Sequence, residues 1–240
     1  MTYCVGLLLN DGMVMLSDTR TNAGLDNIST YRKMFTFEDP GERVITIMTA
    51  GSLSVSQTTI ARLREAIEDP EATPETSIML APTLLKVADI VGRMLAEVRA
   101  EIDEKLSVMQ GATASFIVAG QRRGGAMRMF LIYPEGNYIE ATEDAPFLQI
   151  GEHKYGKPIL DRVVKPATSL ADAQKAVLLS MDSTLRSNLS VGMPLDLAVI
   201  ERDACRVTLK RRIEAGDPAF RAMSEAWSTA LRDGFQRIAI

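Results

Sequence analysis

The chain has one histidine, His153, and two cysteines, Cys4 and Cys205, among 240 residues. With a single histidine, a His-rich metal site or a Ser-His-Asp triad is nearly excluded. Two cysteines far apart in sequence argue against a disulfide framework and against a cysteine-based metal site. Free, partly buried thiols in a reducing cytoplasm are the expectation. No stretch approaches the roughly 18 uncharged apolar residues of a membrane span. Residues 5–9 (VGLLL) are too short for a signal core, and no basic region precedes them. Strong charge of either sign is also missing, with a net charge of −4 and 24% charged residues. No nucleic-acid or membrane partner is expected. The small basic clusters Arg122–Arg123 and Lys210–Arg211–Arg212 read as solvated turns or strand faces. No Gly-rich phosphate cradle is present, so any ATP-dependent step needs a separate partner. No cofactor or metal is expected.

What is present is a 46% apolar composition, enough for a large core, and one domain over residues 1–240 is expected. The chain opens Met1-Thr2. The initiator Met is normally removed ahead of a small residue, which leaves a free Thr. A Thr hydroxyl paired with its own α-amine is an established nucleophile. The amine's ordinary pKa of about 7.7–8.0 leaves a useful neutral fraction near pH 7 to act as base. With one His in the chain, this amine is a second source of general base.

Residues 2–9 and 13–18 are β-rich and flank Asn10-Asp11-Gly12, a hairpin signal. Counting from that turn puts Thr2 and Asp18 at the same end of adjacent strands, about 4.8 Å apart. Residues 19–29 read as a polar loop. Residues 30–37 read as a third strand that includes Lys33. Residues 43–48 form an apolar fourth strand that breaks at Thr49-Ala50-Gly51-Ser52. Helices are expected over 55–68 and 82–106, from apolar positions at helical spacing. Strands return at 113–121, 126–133, 138–142 and 147–150, and helices at 152–164 and 169–186. Residues 187–194 are a loop, 195–202 and 205–213 strands, and 218–237 a final helix. Hairpins alternating with paired helices give an α+β class. A four-layer αββα sandwich, two antiparallel β-sheets flanked by helices, accommodates it.

Thr2, Asp18-Thr19-Arg20, Lys33 and Ala50-Gly51-Ser52 resemble, at these spacings, the motif of proteasome-type N-terminal-nucleophile hydrolases. The stretches TYCVGLLL, SDTRTNAGLDNISTYRKM and APFLQIGEHKYGKPILDRV resemble the bacterial Anbu branch of that family. The resemblance implies a threonine-type peptidase or amidohydrolase that assembles with itself into a ring or open helical particle. Thr2 would attack the carbonyl and Lys33 would lower the amine's pKa and stabilise the alkoxide. Asp18 would hold Lys33, and the Gly51 N–H would supply the oxyanion hole. Arg20, Asn22 and Thr49 would face a peptide or protein substrate, with Thr49 at the floor of an uncharged specificity pocket. Ser190 matches a serine of the family's late loop, whereas Ser187 stands where the family has Asp. Asp182 could replace that Asp in space. Glu152 reads either as the counterpart of a further serine near the nucleophile or as a helix-start carboxylate. His153 reads as structural and Cys4 as buried filler. Thirteen methionines and Trp227 supply apolar side chains for assembly. Two other readings stay open: a non-catalytic assembly subunit, and a non-peptide amidase on the same fold.

Overall fold

The computed structural model describes residues 2–22, 28–106 and 112–239. Met1 and residues 23–27, on which parts of the sequence reading fall, lie outside them.

Two five-stranded antiparallel sheets dominate. Strands β1 (Tyr3–Leu9), β2 (Gly12–Asp18), β10 (Phe147–Gly151), β11 (Leu195–Glu201) and β12 (Leu209–Ile213) form the first, in the order β10-β1-β2-β11-β12. Strands β5 (Met34–Asp39), β6 (Arg43–Gly51), β7 (Ala114–Arg122), β8 (Arg128–Ile132) and β9 (Tyr138–Glu140) form the second, in chain order. Helices α1 (Leu53–Glu68) and α2 (Leu84–Leu106) cover the second sheet. Helices α3 (Lys157–Val163), α4 (Leu170–Ser187) and α5 (Pro218–Arg237) lie on the side of the first.

Strand alternation sorts the apolar residues into three layers. Ile45, Ile47, Phe116 and Val118 pack against Leu63, Val87, Val91 and Leu95 of the helices. Tyr3, Val5, Leu7, Val14 and Leu16 pack against Leu160, Ala173, Val177 and Met181. Cys4, Met13, Met15, Met34, Met48, Ile117, Met127 and Met129 fill the space between the sheets. The chain is therefore the expected four-layer αββα sandwich. Six of the thirteen methionines are not available for assembly. Met13, Met15, Met34, Met48, Met127 and Met129 are in the inter-sheet core, where a flexible thioether fills irregular gaps.

Four local expectations change. Residues 19–29 are not all loop: β3 (Arg20–Asn22) pairs with β4 (Ile28–Thr30). These short strands are polar, so they carry no apolar alternation to read. Lys33 does not lie inside the third strand but directly before β5, whose first residue is Met34. The fourth strand continues through Thr49, Ala50 and Gly51, opposite Phe116, Ser115 and Ala114. The helix expected from 152 begins only at Lys157. Residues 152–156 turn instead, with the His153 N–H donating two residues back to the Gly151 carbonyl at 2.9 Å, and the helix starts at Lys157 with Pro158 in its first turn. No described helix is long and apolar enough to cross a membrane.

Candidate active site

The β1–β2 register pairs Leu9 with Gly12 and Cys4 with Ser17, so Asp18 lies opposite Tyr3, one residue in from Thr2. The Tyr3 N–H donates to Asp18 Oδ1 at 3.1 Å. Lys33 Nζ donates to the same oxygen at 2.8 Å and to the Arg20 carbonyl at 2.6 Å. The other carboxylate oxygen accepts the Gly192 N–H at 3.2 Å. Thr2, Asp18 and Lys33 are 6%, 0% and 4% exposed. A buried ion pair needs such additional hydrogen bonds to offset the loss of hydration. Burial still pushes the Asp18 carboxyl above its ordinary range, against the opposing pull of the Lys33 ammonium and the two amides.

Thr2 is gripped from its other side by β10. Gly151 sits opposite Tyr3, at φ 80°. A Cβ there would come within 1.9 Å of the Thr2 carbonyl oxygen. The glycine is required by that approach, and it delivers the Glu152 amide to the same oxygen. The Glu152 contact to Thr2 thus comes from its backbone, a role its side chain does not signal in sequence.

Lys33 is placed by backbone as well. Its carbonyl accepts the Thr49 N–H at 2.9 Å, extending the β5–β6 ladder by one rung. Thr49 is buried, and its carbonyl faces the Cys4 thiol at 3.7 Å. Burial, with the nearby Asp18 charge, pushes the Cys4 thiol well above its ordinary range, so thiolate chemistry is not available to it near neutral pH. Gly51 ends β6, exposed, at φ 106°. A Cβ there would meet the Thr113 carbonyl at 2.3 Å, so the strand end itself demands glycine.

The 187–194 loop closes the site. Arg20 Nη1 donates to the Leu189 carbonyl at 2.9 Å. Thr19 Oγ1 donates to the Pro194 carbonyl at 2.6 Å. The Arg20 side chain is therefore engaged with this loop. Ser190 is half-buried, and its N–H donates to Asn188 Oδ1 at 2.9 Å. Gly192, which no sequence signal singled out, supplies the amide to Asp18. Ser187 is the exposed last residue of α4. Asp182 is buried and pairs with Arg186 at 3.2 Å, and Arg186 also donates to Ser224 of α5 at 2.7 Å. Asp182 thus belongs to the α4–α5 contact. His153 is exposed, with Nδ1 3.1 Å from the Gly151 carbonyl. Asn22 closes the short β3–β4 pairing opposite Ile28, and its side chain is outside the described residues. No cluster of three or more His, Cys, Asp or Glu that could hold a metal ion occurs among the described residues.

A family model described as "Proteasome subunit" matches residues 2–200. The chain belongs to the proteasome subunit family. Within it, the chain sits with Anbu, the ancestral β-subunit branch. It is 47% identical to Anbu from Hyphomicrobium sp., with a TM-score of 0.92 over 99% of this chain and 98% of that one. It is 44% identical to the Anbu of a helical assembly from Pseudomonas aeruginosa, with a TM-score of 0.92 over 99% of this chain and 97% of that one. Anbu from Yersinia bercovieri is 39% identical, with a TM-score of 0.92 over 99% and 98% of the two chains. No curated protein matches the chain.

Proposed function

We propose that the chain is an N-terminal threonine hydrolase that cleaves peptide or amide bonds once Met1 is removed. The observation that carries this reading is the sealed Lys33–Asp18 pair. Its carboxylate also holds the amide of the residue that follows Thr2.

Thr2 Oγ attacks the scissile carbonyl, and the freed α-amine takes the proton, directly or through a water. Lys33 brings a positive charge into a site with little water, where charge acts over a short distance with little screening. That charge disfavours protonation of the α-amine and favours the alkoxide as it forms. Asp18 keeps Lys33 oriented, and the Arg20 carbonyl fixes it from a second direction. The Gly51 N–H stabilises the oxyanion. An extended peptide adds alongside the strand ends at Asn22 and Gly51, with Thr49 beneath it and Arg20 and Ser190 bracing the neighbouring loop. The protonated α-amine gives its proton to the departing amine as the C–N bond breaks, leaving an ester on Thr2; water then attacks that ester, and its proton passes through the α-amine to Thr2 Oγ as the carboxylic acid leaves.

We further propose that the chain works in the cytoplasm as a single-domain subunit of a homo-oligomeric ring or helical particle. The helical assembly of the Pseudomonas aeruginosa relative supports this. Folded protein substrates would need a separate ATP-dependent partner to unfold them.

Intact mass and a β-lactone probe test the reading together. The expected outcome is a chain that starts at Thr2 and gains one adduct there, lost in Thr2→Ala. Retained Met1 with no adduct would instead support a non-catalytic assembly subunit. An adduct without peptide cleavage would support a non-peptide amidase.

A further inference from the structure

The Tyr3 side chain points away from the Asp18–Lys33 pair's backbone contacts and into the layer between the first sheet and its helices. It is fully buried there among Val5, Leu160, Val177 and Met181. Packing alone calls for a phenyl ring. The hydroxyl is an added cost in an apolar layer unless it is satisfied. It is satisfied twice. Gln149 Nε2 of β10 donates to it at 2.6 Å, and Ser180 Oγ of α4 lies 2.6 Å away. Gly156 closes over the junction: a Cβ there would meet Ser180 Oγ at 2.2 Å and the Tyr3 hydroxyl at 2.7 Å.

These partners belong to the elements that hold Thr2. Strand β10 ends at Gly151, next to the Glu152 amide that grips the Thr2 carbonyl. Helix α4 leads into the 187–194 loop, whose Gly192 amide holds Asp18. A residue at a chain end frays unless it is tied down. Catalysis needs its nucleophile held to within about half an ångström. With Met1 removed, as proposed above, Thr2 is such an end.

We propose that the Tyr3 hydroxyl is a positioning residue for Thr2: by joining β1 to β10 and α4 at one buried point, it fixes the nucleophile relative to the Lys33–Asp18 pair. It touches neither substrate nor reacting atoms. Tyr3→Phe keeps the ring and removes the joint. Ser180→Ala removes one partner from a different element.

The inference rests on Thr2 as nucleophile, and the test separates the two. Wild type, Tyr3→Phe, Ser180→Ala and the double variant are checked for an N-terminal Thr2 by intact mass. Each is then titrated with a β-lactone well below its melting temperature. The maximal inactivation rate falls roughly tenfold in each single variant, the scale of effect that small misplacements of reacting groups produce. The inhibitor concentration for half-maximal rate stays within about twofold. The double variant is no slower than the worse single variant, because both remove one joint. If Tyr3→Phe does not fold, Ser180→Ala decides the matter on the same readout. Folded variants that label at the wild-type rate overturn the inference, even if they melt lower. A wild type with no adduct at Thr2 overturns the nucleophile assignment instead.

Discussion

Lys33 Nζ lies 2.8 Å from Asp18 Oδ1, and both side chains are sealed from solvent. Removing one partner of such a pair strands the other. Lys33→Ala is therefore expected to cost about 3–5 kcal/mol in urea unfolding and to abolish labelling of Thr2. The pH dependence of that loss has a defined sign. Burial already raises the Asp18 carboxyl, chiefly against the pull of Lys33. Without Lys33 the carboxyl rises further. A group with a folded pKa above its unfolded value contributes stability at low pH and loses it as pH rises. The variant should thus recover towards wild type at acid pH and be worst at pH 7 and above. A destabilisation that grew on acidification would contradict the pairing.

Gly151→Ala tests the grip on Thr2. A methyl group at this position has nowhere to go but into the Thr2 carbonyl, and the backbone conformation disfavours it as well. Strain of this kind costs about 1–3 kcal/mol. Labelling of Thr2 should drop by more than stability explains, as measured on protein shown to be folded by circular dichroism. Gly41→Ala is the control: φ is also positive there, at 87°, but a Cβ meets nothing within 4 Å. It should strain the backbone without slowing labelling.

Tyr3 gives an alkaline signature. Burial, opposed by its hydrogen bonds to Ser180 and Gln149, raises its phenol from 10.0 to about 12. Between those values the unfolded chain has released the proton and the folded one has kept it, so stability falls as pH rises from about 10 to 12. A two-unit shift corresponds to about 2–3 kcal/mol. Denaturation midpoints measured from pH 9 to 11.5 should decline less steeply in Tyr3→Phe than in wild type. Parallel declines would mean that Tyr3 ionises without penalty.

Cys4 is 0% exposed, and burial pushes its thiol up. Native protein at pH 8 should leave Cys4 unmodified by iodoacetamide over hours, with full modification in denaturant, as read by peptide mass. This bears on the functional assay, since it predicts that an electrophilic probe at this end of the sandwich reports Thr2. An adduct on Cys4 in native protein would show that the strand opens there.

Much of the architecture was legible because it rests on local pattern. The hairpin signal at Asn10–Gly12 and the apolar spacing of 84–102 depend only on neighbours a few residues apart. The same holds for α4, where Ser169 caps and Asp172 N–H donates to it at 3.1 Å. Patterns failed where backbone bonds, which side-chain spacing does not announce, set the conformation. The β3–β4 pairing is polar and carries no periodicity. The turn at 152–156 looks helical in sequence, yet its His153 N–H bonds back to the Gly151 carbonyl, which a helix does not do. Six methionines, Met13, Met15, Met34, Met48, Met127 and Met129, are core material between the sheets, since composition does not encode which face of a strand is covered.

The sequence by itself determined the parts list at the candidate site: a Thr at position 2, an Asp at the matching end of the next strand, and a Lys in the third β-like run. Residue type and hairpin arithmetic carry that much. Only the tertiary structure decided how those parts are held. The Gly192 amide, the Arg20 carbonyl, the Glu152 amide and the Tyr3–Ser180–Gln149 joint come from segments up to 177 residues apart. Three of these are backbone groups, which every residue carries and which no side-chain letter announces. Their function arises from where the fold aims them.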